Sequence, residues 1–208
     1  MALPDISDYY DQDDNALTEH TSWLCVQEYR RQLEFIQPRF EANNLTTAIE
    51  FGPGSGLLAH RWKQACPRLV YTGIEKCRSF LNMARSSEIY PGDYSGVTFL
   101  GGDVRDYVEG EHDLALAFSF FKHFHLDEWD EIVGCVLASG RFAAFDMQVL
   151  DKDRDNGEHY PHVFVTKERL RQAVANAGHE VVEMVPWWEA DVPDFGTMRN
   201  VAMWTRKV

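Results

Sequence analysis

An α/β fold is predicted for this 208-residue chain by three observations. Short apolar and β-branched runs recur along it, each followed by a segment with helical spacing. One run, residues 46–56 (TTAIEFGPGSG), ends in an acidic residue and then three glycines at alternate positions, the pattern of a strand feeding a ligand-binding turn. A hydrophobic content of 45% over this length supports one sizeable core and not two, so a single domain over residues 1–208 is expected.

The elements follow in order. After a polar N-terminus, the spacing of Trp23, Val26, Leu33 and Ile36 predicts one long helix, stopped near Pro38 because a proline steers the residue before it out of the helical region. Strands are predicted at about 46–51, 69–75, 97–101, 113–119 and 141–148. Leu57, Leu58, Trp62 and Ala65 open a helix directly after the glycines, so its N-terminus faces whatever sits over the turn. Between the last two of these strands, Asp127 is expected to cap a helix whose apolar face is Leu126, Trp129, Val133, Val136 and Leu137. A further helix over about 167–177 is stopped by Gly178. Two final strands, about 180–187 and 200–206, bring the count to seven, and the polar stretch 151–160 (DKDRDNGEHY) reads as a mobile loop.

A net charge of −13, with the basic residues scattered, argues against nucleic acid, which a polyanion's repulsion would keep away. The longest apolar stretch, residues 114–121, is far short of the roughly 20 residues of a membrane span. The acidic, proline-containing N-terminus lacks a signal-peptide pattern, so a cytoplasmic protein is expected. Cys25, Cys66, Cys77 and Cys135 form no CxxC pair and fall mostly in predicted helices, which points to reduced thiols and to no metal site.

The glycine spacing narrows the ligand. A dinucleotide fingerprint has its third glycine one place later than Gly56, where this chain has Leu57, and no GK[ST] follows for a P-loop. Glu50, Gly52, Gly54 and Gly56 match position by position the first motif of the class I S-adenosylmethionine-dependent methyltransferases, an acidic residue followed by G-x-G-x-G, and this part of the chain resembles that family. The resemblance implies a loop passing under the methionine part of S-adenosylmethionine (SAM), with Glu50 orienting the loop and the cofactor's amino group. Glu75, 19 residues beyond Gly56 at the tip of the second strand, would then hold the ribose. Asp103 would receive the adenine amino group beside the backbone amide of Val104, and Phe118 would border the cofactor from the fourth strand. The fold implied is a three-layer Rossmann-like sheet of seven mostly parallel strands with helices on both faces, the last strand antiparallel and inserted beside the fifth. Residues 1–43 would form a helical segment over the active site.

The chemistry implied is attack by an oxygen, nitrogen, sulfur or carbon nucleophile on a methyl carried by a sulfonium, giving S-adenosylhomocysteine (SAH), with O- or N-transfer as its concrete form. Alignment, exclusion of water and removal of the acceptor's proton are then the protein's tasks. The fourth strand leads into Lys122, His123 and His125, which places two histidines and a lysine beside the expected methyl position. His123 is the first candidate for positioning the acceptor or acting as base, with capping or packing as its alternative. Asp146, late in the fifth strand, either contacts a substrate amine or hydroxyl or binds local backbone amides. His159 and His162 flank Tyr160 and Pro161 in a loop able to close over a substrate. In the family the N-terminal segment and the loops after strands five and six often form the acceptor pocket, which nominates Tyr9, Tyr10 and Trp188, with His159, for binding a flat ring or an amine. The (D/N)PP(Y/F) tetrapeptide of many nucleic-acid aminomethylases is absent.

A small-molecule methyltransferase is therefore expected, with neither nucleic acid nor membrane as partner and a homodimer as a possible assembly. The alternatives are a methyltransferase-like scaffold or regulatory subunit, and an enzyme that uses the sulfonium for other chemistry.

Overall fold

The computed structural model describes residues 23–86, 88–92, 94–107, 112–155, 163–192 and 196–208. Tyr9, Tyr10, His159, Tyr160, Pro161 and His162 lie outside the described residues.

The chain enters through α1 (Trp23–Ala42), which runs past Pro38 and does not stop there as expected. The proline leaves a helical carbonyl without its N–H, yet Phe35, Ile36 and Phe40 on either side of it are buried in the core. Arg39 Nη1 also donates to the Phe35 carbonyl (2.5 Å). Burial of three large side chains outweighs the roughly 3 kcal/mol of a proline break. The helix ends at Ala42, and two residues on Asn44, φ 52°, turns the chain so that Leu45 N donates to the Phe40 carbonyl (3.0 Å).

Five parallel strands follow: β1 (Thr47–Phe51), β2 (Val70–Glu75), β3 (Val97–Gly101), β4 (His112–Ala117) and β5 (Gly140–Val149). Their crossovers carry α2 (Leu57–Ala65), α3 (Arg78–Ala84) and α4 (Trp129–Ala138). A small ribbon of β6 (Arg154–Asp155) and β7 (Val163–Phe164) leads to α5 (Lys167–Asn176), then β8 (His179–Val192) and β9 (Gly196–Lys207). The main sheet has the order β3-β2-β1-β4-β5-β9-β8, with β9 antiparallel to both its neighbours. The chain winds outward in one direction from β1 through β2 to β3, and in the other from β4 to β5. The crevice at the carboxyl ends of β1 and β4 is therefore the topological switch point where α/β sheets bind ligands.

Strand residues alternate between two cores because helices cover both faces of the sheet. Ile49, Phe51, Ala115, Ala117 and Phe145 pack against Trp129, Ile132, Val133 and Val136 of α4 and Leu170 and Val174 of α5. On the other face Ala48, Leu114, Leu116 and Ala144 meet Phe40 of α1 and Leu58 and Trp62 of α2.

Four further expectations are corrected. The residue capping α4 is Glu128, not Asp127: Asp127 is exposed, while Glu128 takes the His125 N–H (3.1 Å) and an ion pair from Arg105, which fixes the turn one residue later. Trp187 and Trp188 lie inside β8, because bulges at Val181/Glu183 and Pro186/Trp188 let the ladder continue past a proline that an edge strand tolerates. Within the stretch expected to be a mobile loop, Arg154 and Asp155 are strand-paired to Phe164 and Val163. Cys66 and Cys77 sit at the ends of α2 and α3, not within them. Among the described residues no helix is long and apolar enough to cross a membrane.

Candidate active site

The glycine turn joins β1 to α2 with φ 68° at Gly52, 56° at Gly54 and 77° at Gly56, all in the left-handed region. Gly52 has a second reason to lack a side chain: a Cβ there would lie 2.6 Å from the Phe120 ring. At Gly54 a Cβ would meet only the Tyr29 hydroxyl, 3.6 Å away, so this stretch of backbone presents an open face beneath α1.

Three carboxyls surround the turn from the ends of three neighbouring strands. Glu75 Oε2 accepts from Gly54 N (2.9 Å) and Oε1 from Cys77 N (2.8 Å), tying the tip of β2 to the loop. Glu50 is 3% exposed and takes the Tyr71 hydroxyl hydrogen. Burial pushes its carboxyl up to about 7; the Tyr71 hydrogen bond lowers it and the Glu75 charge raises it further. Asp103 receives Arg105 N (3.0 Å) and an ion pair with Lys76 (3.3 Å), and Val104 behind it is buried.

The second half of the site is a small cleft of about 40 Å³ lined by Ser119, Lys122, Asp146, Gln148, Trp188 and Asn200, with Glu28, Phe120 and Met147. Ser119, just past β4, has φ 52°, a conformation that costs a non-glycine residue of the order of 1 kcal/mol. It aims its N–H at Asp146 Oδ1 (2.5 Å), while Asn200 Nδ2 donates to Oδ2 (2.9 Å). Burial raises the Asp146 carboxyl above the ordinary range, partly offset by these two donors and by Lys122. Phe118 is buried and stacks on Trp187 at 5.6 Å and 11°. Among the described residues no group of His, Cys, Asp and Glu is arranged to hold a metal ion.

No protein-family model and no curated protein matches the sequence. Solved structures match it over its length. One is magnesium protoporphyrin IX methyltransferase from Synechocystis PCC 6803 with bound SAM, at TM-score 0.72 and 14% identity, covering 100% of this chain and 99% of that one. Another is the [4+2]-cyclase SpnF, at TM-score 0.76 and 15% identity over 100% and 98% of the two chains. A third, the mitomycin 7-O-methyltransferase MmcR, aligns at TM-score 0.62 and 15% identity with 79% of this chain and 50% of its own. The fold is that of the class I SAM-dependent methyltransferases.

Within this methyltransferase fold, the sequence-nominated residues fall into two groups. Glu50, Gly52, Gly54, Gly56, Glu75, Asp103 and Val104 gather at the carboxyl ends of β1, β2 and β3, whereas Phe118, the residue after β4, is stacked on Trp187 of β8. Asp146 and Trp188 share the second cleft. His123 ends the 3-10 turn Phe121–His123, half-buried, and is not among the residues lining that cleft; its neighbour Lys122 is. His125 gives its backbone N–H to Glu128. Sequence reasoning passed over Glu28, Ser119, Gln148 and Asn200. The last two are opposite one another across β5 and β9, a pairing with no local signal in the sequence.

Proposed function

We propose that this chain is a SAM-dependent methyltransferase that transfers a methyl group to an oxygen or nitrogen of a small-molecule acceptor. The observation that carries the reading is the left-handed glycine turn tied to Glu75 and flanked by Glu50 and Asp103, next to a polar and aromatic cleft at the ends of β4, β5 and β9.

The residues present suit the cofactor. Gly54 offers bare backbone for close approach. An ionised carboxylate has about four acceptor positions, so Glu75 can receive ribose hydroxyls as well as the loop amide. A buried Glu50 held near pH 7 gains most from a cationic amino group, which would favour its charged form. Asp103 would accept from the adenine amino group and Val104 N would lie against the ring. Bound here, SAM would supply a methyl whose C–S bond breaks toward sulfur as the acceptor's lone pair forms the new bond, leaving SAH.

Asp146, raised in pKa on the cleft wall, orients the acceptor or takes its proton. His123 is proposed as a positioning group on the turn that carries Lys122. Trp188 offers a ring face to the acceptor, and α1, through Tyr29 and Glu28, covers both halves of the site.

Calorimetric titration with SAM, SAH and NAD tests this. Micromolar binding of the first two and none of NAD is expected, followed by methylated product in an acceptor screen analysed by mass spectrometry. Binding of neither SAM nor SAH would overturn the reading. A second reading, cofactor binding with chemistry other than methyl transfer, is favoured by the likeness to a [4+2]-cyclase. Product mass separates the two, since only methyl transfer adds a methyl to the acceptor.

A further inference from the structure

We infer that Asn200 is the specificity residue of the acceptor cleft, and that its carboxamide oxygen selects a flat ring bearing a hydroxyl or amino hydrogen-bond donor. The inference rests on the acceptor reading of that cleft.

Asn200 stands at one level of three adjacent strands, opposite Gln148 of β5 and opposite Trp188 of β8. Residues directly opposite one another in antiparallel strands point to the same face, and residues two apart on one strand do the same. Gln148, Asn200, Trp188 and Asp146 therefore share a face, and all four line the cleft. Asn200 is 3% exposed. Its Nδ2 donates to Asp146 Oδ2 at 2.9 Å, so the carbonyl end of the amide is the end left for another partner. The oxygen Oδ1 is buried and has no hydrogen-bond partner among the described residues.

A buried carbonyl without a protein donor is uncompensated, so a ligand that brings an O–H or N–H supplies the missing partner. Trp188 and Phe120 on the same cleft supply aromatic surface for the ring that carries this donor. If the bound donor is the atom that is methylated, O-methylation removes its hydrogen and weakens the product's hold on the cleft.

The probes are phenol and anisole, which share a ring and differ in the donor. Their binding is measured by saturation-transfer NMR on the full chain, with and without SAH, for the wild type and for Asn200→Leu. Phenol is expected to bind the wild type about tenfold or more tightly than anisole, and the two are expected to bind Asn200→Leu alike. Equal binding to the wild type, no binding of either, or a phenol preference that persists in Asn200→Leu would overturn the proposal. Should Asn200→Leu fail to fold, the side-chain amide resonances of Asn200 in the wild type decide instead. They are expected to shift with phenol and not with anisole, and absence of that shift counts against the role. Calorimetry with SAH alone reads the cofactor site separately, so its failure would remove the methyltransferase reading while leaving the phenol selectivity intact.

Discussion

The buried carboxyl of Glu50 makes the folded chain respond to pH. Its proton is held more tightly in the folded state, where the pKa is about 7, than at the ordinary value of 4.5. Its contribution is thus most favourable below 4.5, declines as pH rises toward 7, and stays at its least favourable above 7, by about 3 kcal/mol in all. Glu50→Gln keeps an acceptor for the Tyr71 hydroxyl and removes the charge. The variant should melt higher than the wild type at pH 8 and converge with it near pH 4.5; parallel melting curves across that range would show that Glu50 does not titrate so. Gly54 is a second single-residue test. At φ 56° a valine is strained by about 1–2 kcal/mol, enough for a loss of several degrees in Tm, and its side chain would occupy the open face of the loop. Gly54→Val should therefore stay folded by circular dichroism and lose SAH binding in calorimetry at least tenfold; retained affinity would move the cofactor away from the loop.

At the scale of elements, the cleft's surroundings are held from α5. Arg169 donates to the Leu126 carbonyl (3.0 Å) ahead of α4, to Asp130 (3.1 Å) in its first turn, and to Asp153 (3.3 Å) in the segment after β5. Its guanidinium also lies 5.7 Å from the Trp129 ring. One half-buried side chain thus fastens the segments leaving β4 and β5, the first of which supplies Ser119, Phe120 and Lys122 to the cleft. Arg169→Ala should lower the urea midpoint by the equivalent of about 1–3 kcal/mol, most of it from the Leu126 carbonyl losing its donor. A midpoint unchanged within error would reduce these contacts to surface ion pairs of little energy. Helix and strand ends show where sequence reading fails. The α1 boundary depended on whether Pro38 or the burial of Phe40 prevailed, and only the three-dimensional core settles that contest. The extent of β8 depended on its being an edge strand, which is a property of sheet order and not of residues 179–192 themselves.

Over the whole molecule, what was legible in the sequence is what short range encodes. The glycine turn, its flanking acids and the seven-strand count follow from backbone sterics and period-two patterning, and they reappear in the sheet. Asp146 was visible as a carboxyl late in a strand. Its partner Asn200 was not, because the two meet only through the insertion of β9 against β5, 54 residues away. That insertion also sets an order of events. β8 is made before β9, yet its place in the main sheet is against β9 alone. Without β9, β8 keeps only its packing against α5 and the core beneath it, and both of its edges lack a partner in the main sheet. The glycine turn is set by β1 and α2, whereas the cleft beside it is completed by Asn200 of β9, the strand inserted between β5 and β8. A variant cut before Gly196 would then carry the glycine turn without Asn200 and without the strand that holds Trp188 in the sheet.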